Sequence, residues 1–411
     1  MALIPRTDYL NFLRRFREKQ IIKVVTGIRR CGKSTLLRLF QQELCDEGIP
    51  AERIIALNFE DLTNAHLTTG TALHEYVCSR LAPGSMTYVF LDEIQHVRDF
   101  ERAVDSLFLR DNVDLYITGS NAWLLSGELA TLLSGRYVTV RMLPLSFAEF
   151  CQSPLASGQA MTRNYERYLQ TSFPYALNLG EDREAIREYL NGIYHAVLLK
   201  DVVQRLGTGE VDKLESMVRF IFDSIGSPIS ARKIADRLTS AGRKTDGKTV
   251  EKYMRALCDS FILHEAQRYN IKGGQYLTTQ PKYYVADLGL RRLLLGQRGG
   301  DAGHELENVV YLELLRRGYE VCVGKEDDSE VDFVARRAGE TSYWQVAVTV
   351  LDESVLAREL APLQKIRDQY PKYLLTLDEV EPEADFGGIR KRHALRWLLG
   401  KSECKEDRHK P

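Results

Sequence analysis

Ten residues, 26 to 35, constrain this chain more than any other stretch: "TGIRRCGKST". The β-branched run "QIIKVV" lies just before them, and "STLLRLFQQEL" continues with apolar residues at helical spacing. Strand, glycine loop and helix form the context that the pattern G-x-x-x-x-G-K-[ST] requires. Gly27 and Gly32 let the backbone curl so that its N–H groups point at phosphate oxygens. Lys33 reaches the β and γ phosphates as a point charge, and Ser34 offers its hydroxyl to Mg²⁺. Thr35 completes the nucleotide-binding set at the start of a helix whose positive end faces the phosphates. The stretch therefore implies a bound nucleoside triphosphate, without saying what the nucleotide is for.

Four more strand-like runs follow: "RIIALNFE", "MTYVFLDEI", "VDLYITGS" and "YVTVRMLPL". Helical stretches between them predict an α/β fold with a mostly parallel sheet covered on both faces. The ligand is expected at the carboxyl ends of the strands. Tyr88-Val89-Phe90-Leu91 delivers Asp92 and Glu93 at such an end. Asp92 is expected to hold Mg²⁺ and Glu93 to polarise the attacking water. Paired acids favour hydrolysis over nucleotide storage.

"GIRRCGKSTLL", "VFLDEIQ", "ITGSNAWLLSGELATLLSGRY" and "LPLSFAEF" resemble a family of prokaryotic AAA-type (AAA+) ATPases with a C-terminal domain of unknown function. The resemblance spans nearly the whole chain, and it alone implies ATP rather than GTP. It makes Asn121, or else Ser120, the polar residue that helps place the water from the strand between the two acid- and loop-bearing strands. It makes Arg136 a candidate arginine finger acting on a neighbour's ATP, with an ordinary bracing arginine as the alternative. At "TSFPYAL" the family usually has two glycines where this chain has Thr171 and Ser172.

Residues 151–210 read as a helical linker or lid, with an amphipathic helix packing on the ATPase core. From 211 to 298, three helices and a hairpin-like unit predict a winged helix-turn-helix. Its second turn helix starts near Thr249 and presents Lys248, Lys252 and Arg255. This segment carries 16 Lys and Arg against nine Asp and Glu, while the whole chain has net charge -1. Local basic charge on such a module is the footprint of duplex-DNA binding, although winged helices also bind proteins.

Residues 299–400 follow the layout of a restriction-endonuclease-like α/β domain. Glu307 lies on a helix, Asp332 in "EVDFVA", and a second strand follows 13 residues later. The resemblance implies an E-x-K on that strand, with acids for Mg²⁺ and a lysine for water activation. Here the position reads Gln345-Val346-Ala347, so Glu307, Asp332 and Gln345 are expected to be the remains of an inactive nuclease site. The ATPase domain is expected over 1–150 and a frayed, charged tail over 401–411.

No stretch approaches 18 uninterrupted apolar residues, and the seven cysteines form no C-x-x-C pair. A cytoplasmic protein without a membrane partner and with reduced thiols is expected. The combined expectation is an ATPase that forms at least a dimer when ATP is bound and engages DNA through its C-terminal half. A nucleotide-gated protein-interaction switch and an ATP-licensed nuclease are the alternatives.

Overall fold

A computed structural model describes residues 3–120, 122, 135–203, 206–207, 210–297 and 300–400. Two compact units are formed. One comprises Met1–Pro144 with Asp259–Phe261, the other Leu145–Cys258 with Ile262–Pro411. No helix among the described residues is long and apolar enough to cross a membrane.

In the first unit, helix α1 (Thr7–Phe16) precedes β1 (Ile22–Thr26), and α2 (Lys33–Asp46) follows the glycine loop. Then come β2 (Ile54–Asn58), α3 (Gly70–Cys78), β3 (Thr87–Asp92), α4 (Phe100–Phe108), β4 (Val113–Gly119) and β5 (Tyr137–Arg141). The sheet order is β2-β3-β4-β1-β5, and every pairing is parallel. β4 therefore lies between β1 and β3. Every residue of β1, β3 and β4 is buried, which the near-continuous apolar runs require of a sheet covered on both faces. On one face Val24, Val89, Leu91 and Ile117 pack with Leu73 and Val77 of α3 and Val104 and Leu107 of α4. On the other, Phe40 of α2 meets Phe90 and Tyr116, whose rings stack 4.7 Å apart. Each such side chain, fully buried, contributes roughly 1.5–3 kcal/mol.

The second unit holds α5 (Met161–Tyr168), α6 (Arg183–Ala196), α7 (Val211–Asp223), α8 (Ala231–Ser240) and α9 (Gly247–Asp259, the last residue falling in the first unit). The hairpin β6 (Leu263–Asn270) and β7 (Gln275–Val285) is followed by α10 (Leu288–Leu295) and α11 (Ala302–Arg316). β8 (Glu320–Glu326), β9 (Ser329–Arg337), β10 (Glu340–Val346), α12 (Glu353–Lys365), β11 (Lys372–Thr376), β12 (Ala384–Asp385), β13 (Ile389–His393) and α13 (Ala394–Leu398) complete it. Its eight strands form one mixed sheet, β12-β13-β11-β10-β9-β8-β6-β7. Helix α11 is buried without a break from Glu305 to Leu314, and Tyr311 stacks on Tyr284 of β7 at 4.1 Å.

Two features of the organisation bear on the expected boundaries. Residues 151–210, expected as a helical linker or lid, group with the second unit. Ser172 donates from both N–H and Oγ to buried Asp287, at 2.5 and 2.6 Å, and Gly289 lies so close to the carbonyl of Gln170 that a Cβ would sit 2.0 Å from it. Ser172, where the resembled family has glycine, thus supplies a hydroxyl bond that glycine lacks. The boundary expected at 298 is also spanned by the sheet, because β6 pairs in parallel with β8. The tail 401–411 lies outside the described residues.

Candidate functional site

The glycine loop is held from behind. Gly27 has φ 152°, and a Cβ there would sit 2.2 Å from the carbonyl oxygen of Met142, so a side chain is excluded. Gly32, at φ 105°, turns the chain into α2. Buried Arg6 donates to the carbonyl oxygens of Cys31 at 2.9 Å and Leu143 at 2.7 Å, tying the loop to the segment just after β5. Sequence reading missed Arg6, whose partner Leu143 lies 137 residues away.

Lys33 opens α2 with its Nζ donating to the carbonyl of Gly27 at 3.1 Å and 3.3 Å from Glu93 Oε1. Burial works against the Lys33 charge, but Glu93, with Cys31 and Asp92, together outweigh it and the pKa rises. Asp92 accepts from Thr118 Oγ1 at 2.6 Å and Asn58 Nδ2 at 3.0 Å, and Ser34 also hydrogen-bonds to it. Burial pushes the Asp92 carboxyl up, the bonds from Ser34 and Thr118 only partly opposing it. Glu93 has left-handed φ 55°, and its N–H donates to the same Thr118 Oγ1 at 2.9 Å. Its carboxylate accepts from Gln95 Nε2 at 2.5 Å. Burial opposes ionisation of Glu93, yet Lys33, Gln95 and Arg29 bring its pKa below the ordinary range. The fold thus joins Lys33 and Ser34, at the start of α2, with Asp92 and Glu93, at the end of β3. Thr118, Asn58 and Gln95 were not foreseen, though Gln95 stands two residues past Glu93 in "DEIQ".

Three buried polar atoms around this cluster have no hydrogen-bond partner: Thr26 Oγ1 at the end of β1, Ser120 Oγ just past β4, and Gln95 Oε1 just past β3. Among the described residues of the first unit they are the full set of such side-chain atoms. Buried polar groups in folded proteins are otherwise nearly always paired, so their concentration here marks a place for a polar ligand and water. The residues fit a magnesium nucleotide: Ser34 and Asp92 are already in contact, and Lys33 has only protein groups that phosphate oxygens can replace.

The other expected residues are placed as follows. Thr35 accepts a weak bond from Arg38 at 3.4 Å. Asn121 lies outside the described residues. Arg136 precedes β5, its carbonyl accepting from Ile22 N–H at 2.9 Å, so it sits at the opposite end of the parallel strands from the loop. Five residues of strand separate those ends by about 16 Å. Arg136 pairs with Asp105 of α4 and covers the Phe108 ring.

In the second unit, α9 starts at Gly247, with Asp246 accepting from the Thr249 N–H at 2.9 Å. Lys248, Lys252 and Arg255, spaced i, i+4, i+7, are exposed on one face. Glu307, Asp332 and Gln345 are also gathered. Glu307 Oε1 accepts from Tyr284 OH at 2.7 Å and from Lys282 Nζ at 3.1 Å. Asp332 Oδ2 accepts from the Val346 N–H at 2.8 Å, and Gln345 donates to Glu359 at 2.9 Å while its oxygen lies 3.4 Å from the Asp332 N–H. Among the described residues, no three His, Cys, Asp or Glu side chains are placed to hold a metal ion together.

Comparison with known proteins places residues 19–151 in the family described as an AAA domain and residues 161–301 in a domain of unknown function (DUF8612). An uncharacterized protein of Haemophilus influenzae is 38% identical over 406 residues, covering 97% of this chain and 99% of that one. An uncharacterized protein of Methanocaldococcus jannaschii is 28% identical over 364 residues, covering 84% and 78%. Among solved structures, the Walker-type ATPase PABY2304 of Pyrococcus abyssi aligns over 71% of this chain and 96% of its own, with 17% identity and TM-score 0.48.

Proposed function

The chain belongs to the family of AAA-domain proteins that includes the Haemophilus influenzae protein, and from that premise we propose that it binds and hydrolyses Mg·ATP and couples nucleotide state to DNA engagement by its C-terminal half. The observation that carries the first part is the cluster of Lys33, Ser34, Asp92 and Glu93, ringed by the unpaired side-chain oxygens of Thr26, Ser120 and Gln95. Ser34 and Asp92 would hold Mg²⁺, which supplies positive charge to the β and γ phosphates. The loop N–H groups and Lys33 bind the phosphates, while Glu93, its carboxylate ionised and oriented by Gln95, takes the proton of the attacking water.

Arg136 stands about 16 Å from its own loop, beyond the reach of its side chain. That distance leaves only a second copy's nucleotide for a finger role, which requires release from Asp105 and at least a dimer in the ATP state. Light scattering with a non-hydrolysable ATP analogue tests this: the expected result is a doubled or larger mass, and an unchanged monomer would exclude it. The DNA arm rests on the basic face of α9 followed by the β6–β7 hairpin, an order that supports a winged helix with Lys248, Lys252 and Arg255 against phosphates.

Steady-state ATP turnover with and without duplex DNA, with Lys33→Ala as the blank, tests the whole. Turnover that Lys33→Ala abolishes, and that DNA stimulates, is the expected result. Turnover indifferent to DNA would remove the DNA arm and leave a protein as the partner of the second unit.

A further inference from the structure

The C-terminal cluster holds the acids that a metal-dependent nuclease would use, but the residues present do not fit a metal. We infer that the ammonium of Lys282 takes the place of a divalent cation there, closing the site to metal and making it a strut between the hairpin and the rest of the sheet. This is independent of the ATP-binding reading.

Lys282 stands on β7, the outermost strand, three positions along the sheet from β9. It is 3% exposed. Its Nζ lies 2.7 Å from Glu330 of β9 and 3.1 Å from Glu307 of α11. These are hydrogen-bond distances, and they commit ammonium protons to carboxylates on two different elements. Glu307 is further occupied: Tyr284 donates to the same oxygen, and His304 Nδ1 lies 3.7 Å from the other. Gly226 packs over that side so closely that a Cβ would come within 2.8 Å of His304 Nδ1 and 3.1 Å of Glu307 Oε2. Asp332 spends one oxygen on the Val346 N–H, and Gln345 is turned to Glu359.

A magnesium ion needs near-octahedral oxygens at about 2.0–2.1 Å and sheds water reluctantly. A second cation entering beside a buried ammonium meets direct repulsion and finds Glu307 already bonded. The lysine absent from position 347 is therefore not simply relocated to a catalytic post. Lys282 neutralises the acids that would otherwise need the metal.

The test is Mn²⁺ titration of the full chain, without nucleotide, in an Asp92→Asn background that removes the N-terminal cation ligand, read by electron paramagnetic resonance. With Lys282 present, no site sensitive to Asp332→Asn is expected. In Lys282→Met, one additional Mn²⁺ per chain should bind, Asp332→Asn should abolish it, and Mn²⁺ should raise the melting temperature. A site in the Lys282 chain that disappears with Asp332→Asn would overturn the inference. So would a folded Lys282→Met variant that still binds no Mn²⁺. If Lys282→Met does not fold, the Asp332→Asn comparison with Lys282 in place decides alone.

Discussion

The two units each bury a lysine against carboxylates at a junction of strand and helix, and the two clusters differ in what is left unpaired. Around Lys33, three buried polar atoms lack partners, and the lysine itself leans on one carbonyl and one carboxylate. Around Lys282, two carboxylates, a tyrosine hydroxyl and a backbone N–H close the network. The residue types are nearly the same. Hydrogen-bond bookkeeping separates them: an incompletely satisfied cluster is waiting for a ligand, and a satisfied one is part of the framework.

The largest effect that can break this comparison is Lys282→Met. Removing one partner of a buried ion pair leaves the others uncompensated and costs about 3–5 kcal/mol. Urea denaturation monitored in the second unit should register that loss, while ATP turnover by the first unit at low temperature stays at its original value. A change below about 1 kcal/mol would deny Lys282 the structural role. Glu93→Gln has the opposite signature. It should retain ATP binding and stability but lower kcat about 100-fold, since glutamine cannot accept the proton. Equal turnover by variant and wild type would strip Glu93 of its assignment.

A smaller effect is expected at Gln95. Its Nε2 fixes one oxygen of Glu93, and its unpaired Oε1 faces the same cluster. Gln95→Ala should lower kcat about tenfold, with KM little changed and the acid limb of the pH–rate profile displaced upward, because Glu93 loses a bond that favours its ionised form. A change confined to KM would instead make Gln95 a nucleotide contact.

What the sequence disclosed divides along the same line. The phosphate loop is written in ten consecutive residues, and Asp92-Glu93 follows a run of buried strand residues, so local pattern was sufficient for both. The parallel sheet followed from alternating strand and helix signals. Thr118 bridges the two acids only because β4 lies beside β3, and Lys282 meets Glu330 only because two hairpins share one sheet. Neither register is printed in any short window. Asp287, which anchors the segment holding Ser172, stands 115 residues beyond that serine, so no local pattern shows the tie. Motifs report contacts made along the chain. Contacts made by topology, which decide whether a cluster is open or closed, need the fold.

The smallest expected effect gives the finest discrimination. Burial first, and the Glu307 charge second, push the Asp332 carboxyl well above the usual carboxylate range, with Lys282 opposing. A carboxyl whose folded pKa exceeds its unfolded value, about 3.9, binds more protons in the folded state. Its ionisation therefore costs stability, and that cost grows as pH rises from the unfolded pKa toward the folded one. Asparagine cannot titrate, yet its oxygen can still accept from the Val346 N–H. Asp332→Asn should therefore match wild type in melting temperature near pH 4 and gain on it as pH rises to 7. A framework tolerates that neutralisation, whereas a site that depends on a cation loses a ligand charge. If Asp332→Asn melts lower than wild type at pH 7, the carboxylate is needed as an anion, and the C-terminal cluster joins the N-terminal one as a place where a cation binds.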